Sequence, residues 1–285
     1  MLKKYPTETE YDKKNALKEV LQEIILVSLS KIGFFEKAAF NGGTALRMFY
    51  GLTRFSEDLD FSLKSTDTTF KLENFLPELE KEINLFGLHV NVTTKEKKKD
   101  SPIKQAFIRG NTREYFINFY GDGSKIAKTE NIKIRFEIDL EPPDYATFEH
   151  KEIWIPSSSS NVYKILIYDA PSLFAGKIHA VLDRKWHSRV KGRDLYDYVF
   201  YITKKIKVNL KHLIARLVAS GCLTSETNYT LDYIKRMLHT KFNDIDFSQA
   251  KDDVRDFLKD ISCLEQWNSH FFQNLTQELD AYPIK

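Results

Sequence analysis

"NGGTALRMFYGLTRFSEDLDF", residues 41–61, is the stretch on which the reading of this chain turns. Two adjacent glycines, Gly42 and Gly43, precede a short apolar run, and Asp58 and Asp60, one leucine apart, close it. EDLDFSL alternates strictly. Leu59, Phe61 and Leu63 fall on one side of a strand, with Asp58, Asp60 and Ser62 on the other. KAAF, just upstream, reads as a short strand leading into the glycines. Thr44 is placed to cap a helix through Leu46, Met48 and Phe49, and Gly51 stands where a helix-ending glycine belongs.

Two carboxylates side by side repel and raise each other's proton affinity. Divalent cations between them remove that cost, and hard oxygen ligands suit Mg2+, with Mn2+ as the alternative. A pair of metals about 3.5–4 Å apart activates an attacking hydroxyl and stabilises the leaving oxygen of a phosphoryl-type transfer. Such a site needs a third acid from a neighbouring strand, and IKIRFEIDL offers one. Its apolar face is Ile132, Ile134, Phe136, Ile138 and Leu140; its polar face is Lys133, Arg135, Glu137 and Asp139. Either Glu137 or Asp139 can complete the set. The glycines do separate work. At a strand-to-helix turn they let backbone approach a ligand, and the helix start presents free N–H groups to a phosphate. Singly, Gly-Gly and Asp-x-Asp are common in turns and loops. Their conjunction, about fifteen residues apart around a short helix, points to a site holding metal ions and a phosphate.

The rest of the composition is that of an ordinary soluble globular chain, 42% hydrophobic and 29% charged, long enough for two domains. The polar start MLKKYPTETEYDKKN lacks the apolar core of a secretory signal, and no apolar run approaches the roughly 20 residues of a membrane span. Cys222 and Cys263 stand in no metal-ligand pattern and read as free thiols of a reducing compartment, so a cytoplasmic protein with no membrane partner is expected. The seven histidines show no ligand spacing. A net charge of +3 does not identify a nucleic-acid partner. Two basic runs are more suggestive: Lys95, Lys97, Lys98 and Lys99, and Arg184, Lys185, Arg189, Lys191 and Arg193 with His187 among them. Either run alone reads more readily as a solvated loop or helix face.

Residues 13–32 read as an amphipathic helix with Leu17, Val20, Leu21, Ile24, Ile25 and Leu29 at helical spacing and Gly33 as its terminator. Residues 70–84 read as another helix. GLHVNVTT, YFINFYG and IKIRFEIDL read as strands, the last two separated by a turn at Gly121-Asp122-Gly123. EIWIP is a further strand, and a serine run (157–160) precedes KILIYDA. From Pro171 the chain is mainly helical.

The pattern GG(T/S)…DhDh, with h apolar, resembles that of the nucleotidyltransferase superfamily related to DNA polymerase beta. More narrowly, GGTALR…Y…RFSEDLDFSL is similar to the AbiEii/MenT family of toxin nucleotidyltransferases, and the likeness extends to KIRFEIDL, LFAGKIHAVLDR and KGRDLYDYVF. It implies an α+β fold: a polymerase-beta-like mixed sheet with flanking helices in residues 1–165, then a mainly helical domain, 166–285, completing the active site. By the family's pattern Asp58, Asp60 and Glu137 bind metal, while Gly42, Gly43, Thr44 and Ser56 approach the nucleotide phosphates. Lys177 and Asp194 correspond to the lysine and aspartate of its downstream motifs and count as catalytic, Lys177 also binding nucleotide.

From the residues alone, those two positions are open. Leu173, Lys177 and Val181 are spaced by four, so Lys177 lies along an apolar line and either snorkels outward or faces an anion such as a triphosphate. Asp194 and Asp197 are one helical turn apart. An acid in a first turn is favoured by the helix dipole as a cap, yet Asp194 can equally orient Lys177 or Arg193, or act as a base. Arg47 and Arg54 touch phosphate or serve as structural partners.

The expected activity is Mg2+-dependent transfer of NMP from an NTP to an acceptor hydroxyl, with loss of pyrophosphate. The resemblance implies a toxin of a type IV toxin–antitoxin or phage abortive-infection pair, with the tRNA 3′ end as acceptor and an antitoxin encoded nearby. The rival readings are transfer to a protein or small molecule, and a non-catalytic nucleotide- or RNA-binding module. The full set of acids argues against the last.

Overall fold

A computed structural model describes residues 5, 8–67, 69–94, 102–111, 131–155, 161–186, 190–224 and 229–282. An interior strand, β1 (Ala38–Asn41), buries Ala38, Ala39 and Phe40 completely. It pairs antiparallel with β2 (Leu59–Leu63) and parallel with β7 (Asn161–Tyr168). On the other side β2 pairs parallel with β5 (Asn131–Asp139). Antiparallel steps to β4 (Ile103–Asn111) and β3 (Val90–Thr94) follow, and β6 (Phe148–Ile155) lies beyond β7. The order β3-β4-β5-β2-β1-β7-β6 makes a mixed seven-stranded sheet, so the α+β expectation holds.

β4 was not anticipated. SPIKQAFIRGN places lysine, glutamine, arginine and glycine among its apolar residues, and the nine-residue ladder to β5 is what holds it in a strand. The strand and turn expected at YFINFYG and Gly121–Gly123, the Lys95–Lys99 run, the serines 157–160, His187 and Arg189 lie outside the described residues.

The chain divides into two compact units. The first takes Met1–Ala45, Glu57–Pro142 and Glu149–Ile167; the second takes Leu46–Ser56, Pro143–Phe148 and Tyr168–Lys285. In the first, α1 (Glu10–Lys31) begins at a capping box between Thr9 and Asp12 and stops before Gly33, whose φ of 74° breaks the helix. It is not an amphipathic surface helix. Polar Asn15, Glu19, Gln22, Glu23 and Ser28 are buried along with the apolar stripe. Gln22 is accommodated by donating to the Glu57 carbonyl at 3.0 Å. The helix expected at 70–84 is a 3-10 turn (Leu72–Asn74) followed by α3 (Leu76–Asn84). Phe34, Phe61 and Phe136 pack within 4.5–5.7 Å of one another, and the two strand rings stack. That cluster fixes β2 beside β5 through their apolar faces, leaving the opposite faces for Asp60 and Glu137.

The second unit is helical: α4 (Ala170–Asp183), α5 (Gly192–Thr203), α6 (Leu210–Ala219), α7 (Leu231–Asn243), α8 (Phe247–Arg255) and α9 (Ser269–Gln277). Asp169 caps α4 by accepting from the Ser172 amide at 2.9 Å. Its core is aromatic. Phe174 stacks on Tyr201 at 4.5 Å, and Tyr198, Phe242 and Phe272 are fully buried. The Thr276 hydroxyl donates to the Phe272 carbonyl, so Tyr198, 2.8 Å away, is the donor to Thr276. Gly192 lets α5 lie on α8, because a Cβ there would stand 2.7 Å from the Ala250 carbonyl carbon.

Candidate active site

In the sheet unit β1 runs directly into α2 (Gly42–Tyr50), so Gly42 is already the first helical residue. Its φ of 77° makes the turn, a conformation open to glycine at no steric cost. Thr44 therefore does not cap the helix. Its hydroxyl donates to the Asp58 carbonyl, tying the start of α2 to the entry of β2. At the far end Gly51, φ 81°, ends α2 as expected.

Register brings the acids together. Asp60 lies opposite Asn41 on β1 and beside Glu137 on β5, while Asp139 falls one pleat further on, beside Ser62. Of the two candidates for third acid, Glu137 is the one next to Asp60. Asp139 accepts from the Glu141 amide instead. Asp60 also lies against the glycine turn: a Cβ on Gly42 would be 3.0 Å from both Asp60 Cβ and Cγ, and nearer still to Oδ2. Gly42 thus serves twice, turning the chain and making room for the carboxylate.

Two neighbours were missed. Arg135 Nη2 donates to Asp58 Oδ2, and Nη1 stands 3.4 Å from Glu137 Oε1. The hydrogen bond to Asp58 leads the causes that hold the Arg135 pKa above its ordinary value. Gln105 on β4 donates to Glu137 Oε1. Arg135 was legible as the residue two before Glu137 on the same face; Gln105 was hidden with its strand. Among the described residues no group of three His, Cys, Asp or Glu side chains is gathered to hold a metal. Arg135 supplies the positive charge among these acids. The donors, on β2, on β5 and at the residue entering β2, are nonetheless all hard oxygens, which fits Mg2+ chemically once Arg135 releases Asp58 and Glu137.

The helical unit holds a second polar cluster, buried. Lys177 does not snorkel. Its ammonium donates to Asp194 Oδ1 at 2.6 Å and lies 2.9 Å from Asp197 Oδ2. Burial opposes its charge, but the two carboxylates more than offset this and raise its pKa. Asp194 is not a cap. It is 5% exposed, and α5, which starts at Gly192 after the N-cap residue Lys191, has no side-chain cap. Its second oxygen is 2.8 Å from Arg184 Nε, an ion pair without hydrogen-bond alignment. Burial pushes the Asp194 pKa up, and Lys177 and Arg184 pull it down further, leaving it lowered. Asp197, wholly buried, also takes a two-pronged contact from Arg54, with Nε and Nη2 each at 2.6 Å. Arg54 is thus a structural partner of Asp197. Arg47 donates to the carbonyls of Leu52, Thr53 and Arg54. Ser56 ends the same loop. Of the basic run at 184–193, Arg184 is engaged with Asp194, and Arg193 lies over the Phe257 ring, 4.2 Å from its centroid.

The mixed sheet thus carries Asp60 on β2, Asp58 at the residue that enters that strand, Glu137 on the parallel neighbour β5, and a glycine turn against Asp60. A family model described as "Nucleotidyl transferase AbiEii toxin, Type IV TA system" matches residues 24–268. The chain belongs to that family. A search of curated proteins finds no match. Among solved structures, JHP933 from Helicobacter pylori is similar over 95% of this chain and 92% of its own, at 20% identity and a TM-score of 0.51. That is a likeness of fold. A second H. pylori chain, provisionally named a nucleotidyltransferase, aligns over 92% of this chain and 89% of its own at 19% identity. Its TM-score of 0.45 is too low to weigh. No helix among the described residues is long and apolar enough to cross a membrane.

Proposed function

We propose that the protein is an Mg2+-dependent toxin that transfers NMP from an NTP to the 3′ end of tRNA, releasing pyrophosphate. The observation that carries this reading is the register of Asp60 beside Glu137, with Asp60 packed on the Gly42 turn. Asp58, Asp60 and Glu137 would hold the metal, with Mn2+ as the alternative ion. When bound, the metal supplies positive charge to the phosphates and acidifies the acceptor hydroxyl. Gly42 and Gly43 give the triphosphate an approach to backbone N–H groups at the start of α2. Arg135, on leaving the acids, becomes a cation for phosphate. Lys177 serves as a phosphate contact. We assign Asp194 to orienting Lys177 rather than to general base catalysis, because both of its carboxylate oxygens are engaged by cations, Lys177 and Arg184.

Membership of a type IV toxin–antitoxin family implies an antitoxin partner. We place its gene beside this one, the pair acting in the cytoplasm in phage defence. The free thiols Cys222 and Cys263 suit that compartment. The test is incubation with each labelled NTP, Mg2+ and total tRNA. Label is expected on tRNA with one or more nucleotides, lost with chelator and in Asp58→Ala and Asp60→Ala variants that keep their melting transition. Nucleotide bound but no RNA labelled by any NTP would refute the acceptor assignment.

A further inference from the structure

In the helical unit five charged side chains form one chain of contacts: Arg54, Asp197, Lys177, Asp194 and Arg184, in that order. Each carboxylate is shared by two cations, and Lys177 sits at the centre. Its ammonium is therefore fixed from two directions, one of which depends entirely on Asp197. Asp197 is in turn fixed by a planar fork that leaves its carboxylate one orientation. Arg54 has little freedom either. Its Nη1 donates to the Phe55 carbonyl at 2.8 Å, and Arg47 clamps the carbonyls of residues 52–54. The Phe55 amide donates to the Phe257 carbonyl at 3.0 Å, and Thr53 meets the Tyr196 hydroxyl at 2.7 Å. The loop 51–56 is anchored at several points, and Arg54 is the side chain it delivers to Asp197.

We propose that Arg54 and Asp197 are positioning residues for Lys177: the Arg54 fork holds Asp197, and Asp197 holds the Lys177 ammonium in the place from which it meets the nucleotide phosphates. A lysine is a flexible point charge on a four-carbon stem, and its usefulness to a polyanion depends on where that charge is held. Asp194 alone does not fix it, since Asp194 is itself shared with the partly exposed Arg184. The placement of Lys177 stands on the contacts alone; its use on phosphates rests on the proposed nucleotidyl transfer.

The test uses the full chain with Arg54→Gln/Asp197→Asn, which removes both charges together so that neither is left buried without its partner, and with Asp197→Glu as the charge-conserving partner. One readout needs no activity. Lysines are labelled with acetic anhydride at a fixed pH below the lysine range, and the Lys177 peptide is quantified by mass spectrometry. Loss of the second carboxylate should raise Lys177 labelling about tenfold for each unit its pKa falls, other lysines remaining unchanged. The other readout is kinetic. The KM for NTP should rise about tenfold, as for a lost charge-assisted contact, while the KM for tRNA stays within about twofold. Asp197→Glu should recover part of both effects. A merely structural pair would lower the folded fraction, and so the apparent kcat, with Lys177 labelling of the folded protein and both KM values unmoved; that result overturns the proposal. If the paired variant does not fold, Arg54→Lys, which keeps the charge and loses the fork, reads the same quantities. If the wild type transfers nothing, nucleotidyl transfer fails, and the labelling still decides whether Arg54 and Asp197 place Lys177.

Discussion

Gly42→Ala separates the two tasks assigned to that glycine. At φ 77° an alanine costs about 1–2 kcal/mol in backbone strain. Its methyl would also stand 3.0 Å from Asp60 Cβ and Cγ, where ordinary contact begins at 3.4–4 Å, so Asp60 must withdraw by about 0.4–1 Å. Gly51 provides the control. It has nearly the same φ, 81°, yet nothing lies within 4 Å of an added Cβ. Gly51→Ala therefore carries the strain without the displacement. Both variants should melt lower, by about 2–4 °C per kcal/mol lost in a chain of roughly this size. Their activities should diverge. Moving a catalytic group by close to 1 Å costs on the order of 100-fold, so Gly42→Ala should lose about that much nucleotidyl transfer while Gly51→Ala stays within a few-fold of wild type. Differential scanning fluorimetry and labelled-NTP transfer on the three proteins give both quantities. Equal activity in the two variants would show that the position of Asp60 against Gly42 is irrelevant to the reaction.

Gly192→Ala should be strongly destabilising for a purely packing reason: its methyl would lie 2.7 Å from the Ala250 carbonyl carbon and 3.2 Å from Val254 Cβ. Overpacking of that kind costs about 1–3 kcal/mol or more, whereas Gly176→Ala, whose nearest neighbour is the Arg216 side chain at 3.8 Å, should be neutral or stabilising by up to about 1 kcal/mol. Denaturant midpoints of the two variants check the contrast. Stability should also fall on acidification below the usual histidine range. Burial, then the charge of Arg216, lowers both His179 and His212 from 6.5 to about 4. The unfolded chain therefore binds protons that the folded one refuses. The stability is fully present above about pH 6.5 and is lost as pH falls toward 4, by at most about 3 kcal/mol for each histidine. Urea titrations across that window should show a slope that flattens in His179→Gln/His212→Gln; an unchanged slope would rule out these two residues as its source.

How far the sequence carries the fold depends on whether an element's reason for forming is local. β2 announces itself because its apolar face alternates with its acids, and α2 because glycines bracket it. α4 shows its Asp169 cap and Pro171. β4 does not, since its residues become a strand only through nine paired positions on β5. Burial of α1 on every side is likewise a property of what surrounds it, and polar residues such as Gln22 disguise it as amphipathic.

The candidate site divides along the same line. Asp60 and Glu137 are readable because a strand's period of two sets acids on one face and adjacent strands repeat the pattern, and Asp58 because it stands two before Asp60, at the entry to β2. Choosing Glu137 over Asp139 needed the register, which no periodicity contains. The charged chain around Lys177 is harder still. An aspartate in the first turns of a helix looks the same in sequence whether it caps in solvent or is buried as Asp197 is. What distinguishes the two is the arginine that compensates it, and here that arginine lies 143 positions earlier. A buried carboxylate without a cation would be expelled or protonated. Lys177, Asp194, Asp197 and Arg54 are therefore one requirement distributed over the chain, and RFSEDLDF carries part of it: its arginine belongs to the lysine cluster, its aspartates to the sheet.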